Sequence, residues 1–188
     1  MKHIFYHLTA VMVVVVWGMT FISTKVLIVH GLSAQEIFLF RFLLAYAAVC
    51  PISFHRFFAR NLKDELYLVG GGVLGGSLFF FLQNIALGLT QASNVSFIIC
   101  MAPLLTAVLT VLSVRTEKVS RGFIYGSIIA LLGVGLLIFN GSFILRISPL
   151  GDLLTLLASL SWAFYSLVIR SLTRKYSPAF ITRKIFFY

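Results

Sequence analysis

The chain has 188 residues, enough for one soluble domain, but 60% of them are hydrophobic and only 11% are charged. Soluble domains run at about 45–50% apolar and about 25% charged, so composition excludes a soluble enzyme, a disordered chain and a secreted disulfide scaffold. Fifteen basic residues against five acidic ones give a net charge of +10, which points to nucleic acid or to a membrane.

A bilayer core takes about 20 apolar residues as a helix. By that measure the sequence predicts six spans, near 5–28, 35–54, 66–87, 91–113, 122–140 and 150–169. The fold class is therefore all-α and integral to the membrane. Lys2 ahead of an apolar run imitates a signal peptide, yet the run is long, lacks a small-x-small cleavage site and is followed by further spans. Cys50 and Cys100 lie inside apolar runs and suggest neither a disulfide nor a zinc site. No cofactor motif is found.

The basic residues fall on alternate connections. Lys2, then Arg56, Arg60 and Lys63, then Arg115, Lys118 and Arg121, then Arg170, Arg174, Lys175, Arg183 and Lys184 share one side. The other side holds Lys25 and Arg146, and Arg41 lies within the second span. Cytoplasmic loops collect Lys and Arg, so the N-terminus is expected inside the cell and the charge is an orientation signal. No basic stripe with interleaved aromatics suggests nucleic acid.

Glycines in the third span form two small-xxx-small pairs, Gly71/Gly75 and Gly72/Gly76, and Gly122/Gly126 repeats the spacing in the fifth. Such positions allow close helix packing. The first and sixth spans look related: Trp17 and Trp162, Lys25 and Arg170, and Leu8 and Leu153 all match at an offset of 145. A repeat that begins at the sixth span implies a five-helix unit, and an odd number inverts the second copy.

Trp17-Gly18, Arg41, Asn84-Ile85-Ala86-Leu87, Thr90-Gln91-Ala92-Ser93, Pro103-Leu104, Glu117, Gly133, Gly135, Gly151-Asp152 and Ser161-Trp162-Ala163 occur in order along the chain. With these features the sequence resembles the EamA-type carriers of the drug/metabolite transporter superfamily. The resemblance implies ten helices in two inverted repeats, cytoplasmic termini and a central substrate cavity. Residues 1–141 correspond to the first repeat, and 142–188 to the start of the second, with Phe180–Tyr188 as the first turns of helix 7. A truncated chain or a half-carrier that pairs with a second copy is the expectation from that pattern.

Polar side chains within a membrane are functional candidates because of what it costs to place them there. Trp17, Thr20 and Thr24 share one helical face, and Trp162 and Tyr165 a similar one. These faces line a cavity or form an aromatic packing seam whose hydroxyls bond carbonyls one turn back. Gln83, Asn84 and Asn94 either bind a substrate or cap the tight 88–91 turn. Pro103 breaks the backbone bonding of the fourth span, as a plain kink or as a hinge. Arg41 attracts an anionic group, or else snorkels or bonds nearby carbonyls, with Glu36 an imperfect local partner. Lys25 reads as interfacial. The five acids and the histidines His3, His7, His30 and His55 all lie away from the bilayer midplane, so no proton relay is visible. Ser161 and Ser166 have no neighbouring base, which disfavours an enzyme. The expected function is a secondary carrier in the plasma membrane, an exporter of amino acids, amines or drugs, with the lipid bilayer and a small-molecule substrate as its partners.

Overall fold

The computed structural model describes residues 2–53, 57–113, 120–139 and 148–188, and no strand occurs among them. His55, Arg56, Arg115, Glu117, Lys118 and Arg146 lie outside the described residues. Helix α1 runs over Lys2–Val29 and α2 over Ala34–Val49, continued by a tight 3-10 turn at Cys50–Ser53. A third rod joins α3 (Leu62–Gly71), a π-helical segment (Gly72–Leu78) and α4 (Phe79–Leu89). A fourth is split into α5 (Ala92–Ile99) and α6 (Ala102–Ser113). Then follow α7 (Arg121–Phe139), α8 (Pro149–Arg170) and α9 (Pro178–Phe187).

Ile4–Val29, Ala34–Ser53, Leu62–Leu89, Ala92–Ser113 and Pro149–Arg170 are long and apolar enough to cross a bilayer. The 19 residues of α7 extend for about 28 Å at 1.5 Å per residue, close to a hydrocarbon thickness. Valines, leucines and phenylalanines are exposed along α1 and α2, as expected of surfaces that face lipid rather than water.

Local chemistry fixes the helix ends. Gly31, at φ +98°, turns the chain out of α1, with Leu32 N–H donating to Leu27 O and Gly31 N–H to Ile28 O. Only glycine takes this left-handed conformation without penalty. Ser33 then starts α2: its hydroxyl accepts from Glu36 N–H, and the Glu36 carboxylate accepts from Ser33 N–H at 2.8 Å. Glu36 is committed to this capping box, not to Arg41. Ser177 and Pro178 start α9 in a similar way, the serine hydroxyl accepting from Phe180 N–H.

Helix α8 is the central post, packed on α4, α5 and α6. The glycines of the third rod explain how it approaches so closely. A Cβ on Gly71 would come within 2.7 Å of Ile169, and one on Gly75 within 2.4 Å of the Tyr165 ring. Gly72 and Gly76 receive Tyr188 and Ile185 of α9. Gly122 and Gly126 are different: among the described residues nothing lies within 4 Å of their Cβ positions. Among the described residues these glycines meet no neighbour to pack against.

Candidate substrate cavity

Two tryptophans from helices far apart in sequence meet at the centre of the bundle. The rings of Trp17 on α1 and Trp162 on α8 lie 5.8 Å apart. Phe79 stands 4.8 Å from Trp162, and Tyr165 continues the stack at 5.0 Å. Fully buried Ala86, Leu87, Val95 and Ala158 close the cluster behind them. Indoles supply flat apolar area with one polar N–H, which suits amphipathic solutes.

Against this wall lies a partly open cavity of about 760 Å³, bounded by α1, α5, α6, α7 and α8. Its lining is predominantly apolar, with Trp17, Phe21, Pro103 and Trp162 among the large surfaces and Ser93, Ser96, Ser127 and Cys100 as the polar points. The volume is within the range for small-molecule sites, roughly 300–1,000 Å³. No group of three or more His, Cys, Asp or Glu suited to a metal ion occurs among the described residues.

Pro103 sits at the break that shapes one side of the cavity. Helix α5 ends at Ile99 and α6 resumes at Ala102, with Met101 N–H bonded to Ile98 O in a tightened turn. Proline has no N–H for the Ile99 carbonyl, so the rod divides where its ladder loses that bond.

The remaining candidates are distributed elsewhere. Thr20 donates to Trp17 O at 2.6 Å, and Thr24 is 2% exposed and receives a 3.3 Å bond from the Arg41 guanidinium. Arg41 also lies over the Phe80 ring, 5.2 Å from its centroid. It therefore neither snorkels nor relies on Glu36; it rests between α1, α2 and α4. Tyr165 fits against Gly75. Asn94 donates to the Thr90 hydroxyl at 3.4 Å. Neither Thr20, Thr24, Arg41, Asn94 nor Tyr165 lines the cavity.

Gln83 and Asn84 do not cap the 88–91 turn. Both are wholly buried in α4, and Asn84 Nδ2 donates instead to Ala34 O at 3.4 Å. The cap comes from Lys25, whose Nζ donates to Leu87 O at 2.5 Å and Thr90 O at 2.9 Å. This cation is not merely interfacial: it satisfies carbonyls that the end of α4 leaves open. Ser148 and Asp152, at the start of α8, hold the same turn through Leu89 O and the Thr90 hydroxyl. Sequence reading misses this junction because its partners are 59 to 65 residues apart.

At the opposite end of the third rod, Asp64 at the start of α3 accepts from Lys175 at 2.8 Å and from Tyr176 at 2.9 Å. The bond to Asp64 raises the Lys175 ammonium above the usual lysine range. Glu65 takes Lys184 and Tyr188 from α9 and Ala59 N–H at 2.6 Å. Arg183 donates to Ser53 O and faces the Phe57 and Phe180 rings. Lys184 and Arg183 thus attach α9 to α3 and to the turn after α2.

No curated protein and no solved structure gives a significant match to this chain. Residues 4–139, most of the sequence and the stretch from α1 through α7, match the EamA-like transporter family. Apolar helices of membrane-spanning length, an inward-facing aromatic pair and this match agree: the chain is a multi-pass membrane protein of the EamA-like transporter family.

Proposed function

We propose that the chain forms the solute path of a secondary carrier, an exporter of small amphipathic organic compounds across the plasma membrane. The observation that carries this reading is the apolar cavity of about 760 Å³ walled by both Trp17 and Trp162. The two tryptophans sit at equivalent places in helices that the sequence offset relates. A site at the junction of two repeats is where alternating-access carriers hold substrate. Residues 1–141 then act as one repeat and 142–188 as the opening of an inverted second one, within a ten-helix carrier whose N-terminus is cytoplasmic. Amino acids, amines and drugs are the substrate classes that the family resemblance favours.

The partly open cavity also favours a second reading, a homodimer of half-carriers in which a second copy lies against its open side. Reconstitution into proteoliposomes tests both. Efflux of a labelled amino acid, amine or drug, abolished by Trp17→Ala and Trp162→Ala, supports the carrier. Absence of flux across all three classes argues against it. Crosslinked dimers in intact membranes support the half-carrier form.

A further inference from the structure

Gln83 is the most costly side chain in the bundle that packing does not explain. It has no exposure, and neither its Nε2 nor its Oε1 has a hydrogen-bond partner among the described residues. The neighbouring Asn84 leaves its Oδ1 unpartnered as well. Other polar side chains in the same region are satisfied: Ser159 donates to Ile98 O and Thr155 O, Ser161 to Leu74 O, and Thr155 to Gly151 O. A buried amide without partners carries its whole desolvation penalty, so such groups call for an explanation.

Position supplies one. Gln83 shares a face of α4 with Phe79, Ala86 and Leu87, which are four residues before it and three and four after it. All three belong to the cluster that holds Trp17 and Trp162, and Phe79 contacts Trp162 directly. The amide thus lies on the helix face that packs against the aromatic wall of the cavity. Trp17 and Trp162 both line the cavity, with their rings 5.8 Å apart, while Gln83 itself does not line it.

We propose that Gln83 is the polar end of a binding site whose apolar part is the 760 Å³ cavity, reached when the two tryptophans part. Charge chooses the occupant. An amide presents one donor group and one acceptor side by side, and it carries no charge. Among the described residues no carboxylate, Lys or Arg lines the cavity. A charged head group would enter low dielectric without a counter-ion, whereas a neutral group bearing its own donor and acceptor would satisfy both ends of Gln83. The site therefore takes uncharged amphipathic solutes, an aromatic or alkyl body with a carboxamide or a similar donor–acceptor edge. This inference rests on the reading of the cavity as the solute path, and it narrows the small amphipathic compounds to neutral ones, setting aside charged amino acids and amines.

Trp17 and Trp162 are the only tryptophans, so their emission reports on the site without a label. The full chain in lipid nanodiscs is titrated with phenylacetamide, phenylacetate, phenethylamine and propylbenzene, which vary the head group on a similar body. Phenylacetamide is expected to bind tightest. Gln83→Leu is expected to weaken it about tenfold, as the loss of one or two net hydrogen bonds does, with propylbenzene unchanged. Gln83→Met removes the amide at equal length and serves if the leucine variant folds poorly. Equal affinity for phenylacetamide in wild type and both variants overturns the role of Gln83 and leaves the amide as a structural group. Tighter binding of phenylacetate or phenethylamine overturns the neutral-solute assignment. No emission change with any probe, propylbenzene included, overturns the cavity reading itself.

Discussion

Gly75→Ala is the sharpest test of how the third rod positions the aromatic wall. The new methyl carbon would lie 2.4 Å from two Tyr165 ring atoms and 2.8 Å from a third. Ordinary contact begins at 3.4 Å, so the ring must retreat by about 1 Å. It cannot retreat freely, because the ring also packs on Trp162 at 5.0 Å and Trp162 packs on Trp17. Overpacking of this kind costs about 1–3 kcal/mol, and alanine recovers about 0.8–1 kcal/mol of helix propensity over glycine. The net expectation is a loss of up to about 2 kcal/mol, together with a shift in tryptophan emission. Denaturant titration in bicelles gives the first quantity, and fluorescence gives the second. Gly126→Ala is the control, since among the described residues no atom lies within 4 Å of its Cβ position, and it should be neutral or mildly stabilising. In a Tyr165→Ala background the penalty of Gly75→Ala should disappear, the non-additivity expected of contacting residues. Wild-type stability and emission in Gly75→Ala, or full additivity with Tyr165→Ala, would refute the reasoning.

Lys25→Met should cost about 1.5–3 kcal/mol, the range for hydrogen bonds to a charged group, and speed amide exchange around residues 87–91, where hydrogen-exchange mass spectrometry detects it. Arg41→Met should change stability by no more than about 1 kcal/mol, because the cost of placing Arg in a membrane, about 2.5–3.5 kcal/mol, is largely returned by its Phe80 contact, up to about 2, and by its bond to Thr24, about 1.5; a loss of several kcal/mol on denaturation would contradict this. Glu65→Gln alone should destabilise the docking of α9 more than Glu65→Gln with Lys184→Met, because the single change strands a buried ammonium; proteolysis rates after residue 170 measure the difference. Lys175 has a raised folded value, so its contribution is fully present below the ordinary lysine value of about 10.4 and is lost as pH rises through the raised one. The stability gap between wild type and Lys175→Met should therefore hold constant from neutral pH until that alkaline range.

The helical rods were legible because each is a long apolar run bounded by local signals. Gly31, Ser33 and Glu36 announce the α1–α2 corner within six residues, and Pro103 announces the α5–α6 break. Packing pairs were legible where small residues repeat at spacing four in a rod that is enclosed, as at Gly71 and Gly75. The identical spacing at Gly122 and Gly126 misleads, because spacing records what a helix permits and not what stands opposite. Trp17 and Trp162 were identifiable from their offset alone. The role of Lys25 was not, since the carbonyls it bonds belong to another rod and no carbonyl is marked by sequence. The pairing of Asp64 and Glu65 with Lys175 and Lys184 has the same origin: it bridges more than a hundred residues.

The 87–91 turn gives α1 and α8 a common fastening. Lys25 holds it from one helix, and Ser148 and Asp152 hold it from the other, so at this end the two cannot separate without breaking the junction. Trp17 lies eight residues from Lys25, about 12 Å along the axis, and Trp162 ten residues from Asp152, about 15 Å. With one end pinned, each helix is a lever. A tilt of about 10° moves Trp17 by roughly 2 Å and Trp162 by somewhat more. Opposed tilts add to about 4–5 Å, comparable to the 5.8 Å between the rings at rest. Such tilts would part the indoles like the tips of tongs and leave the joint that unites the helices intact.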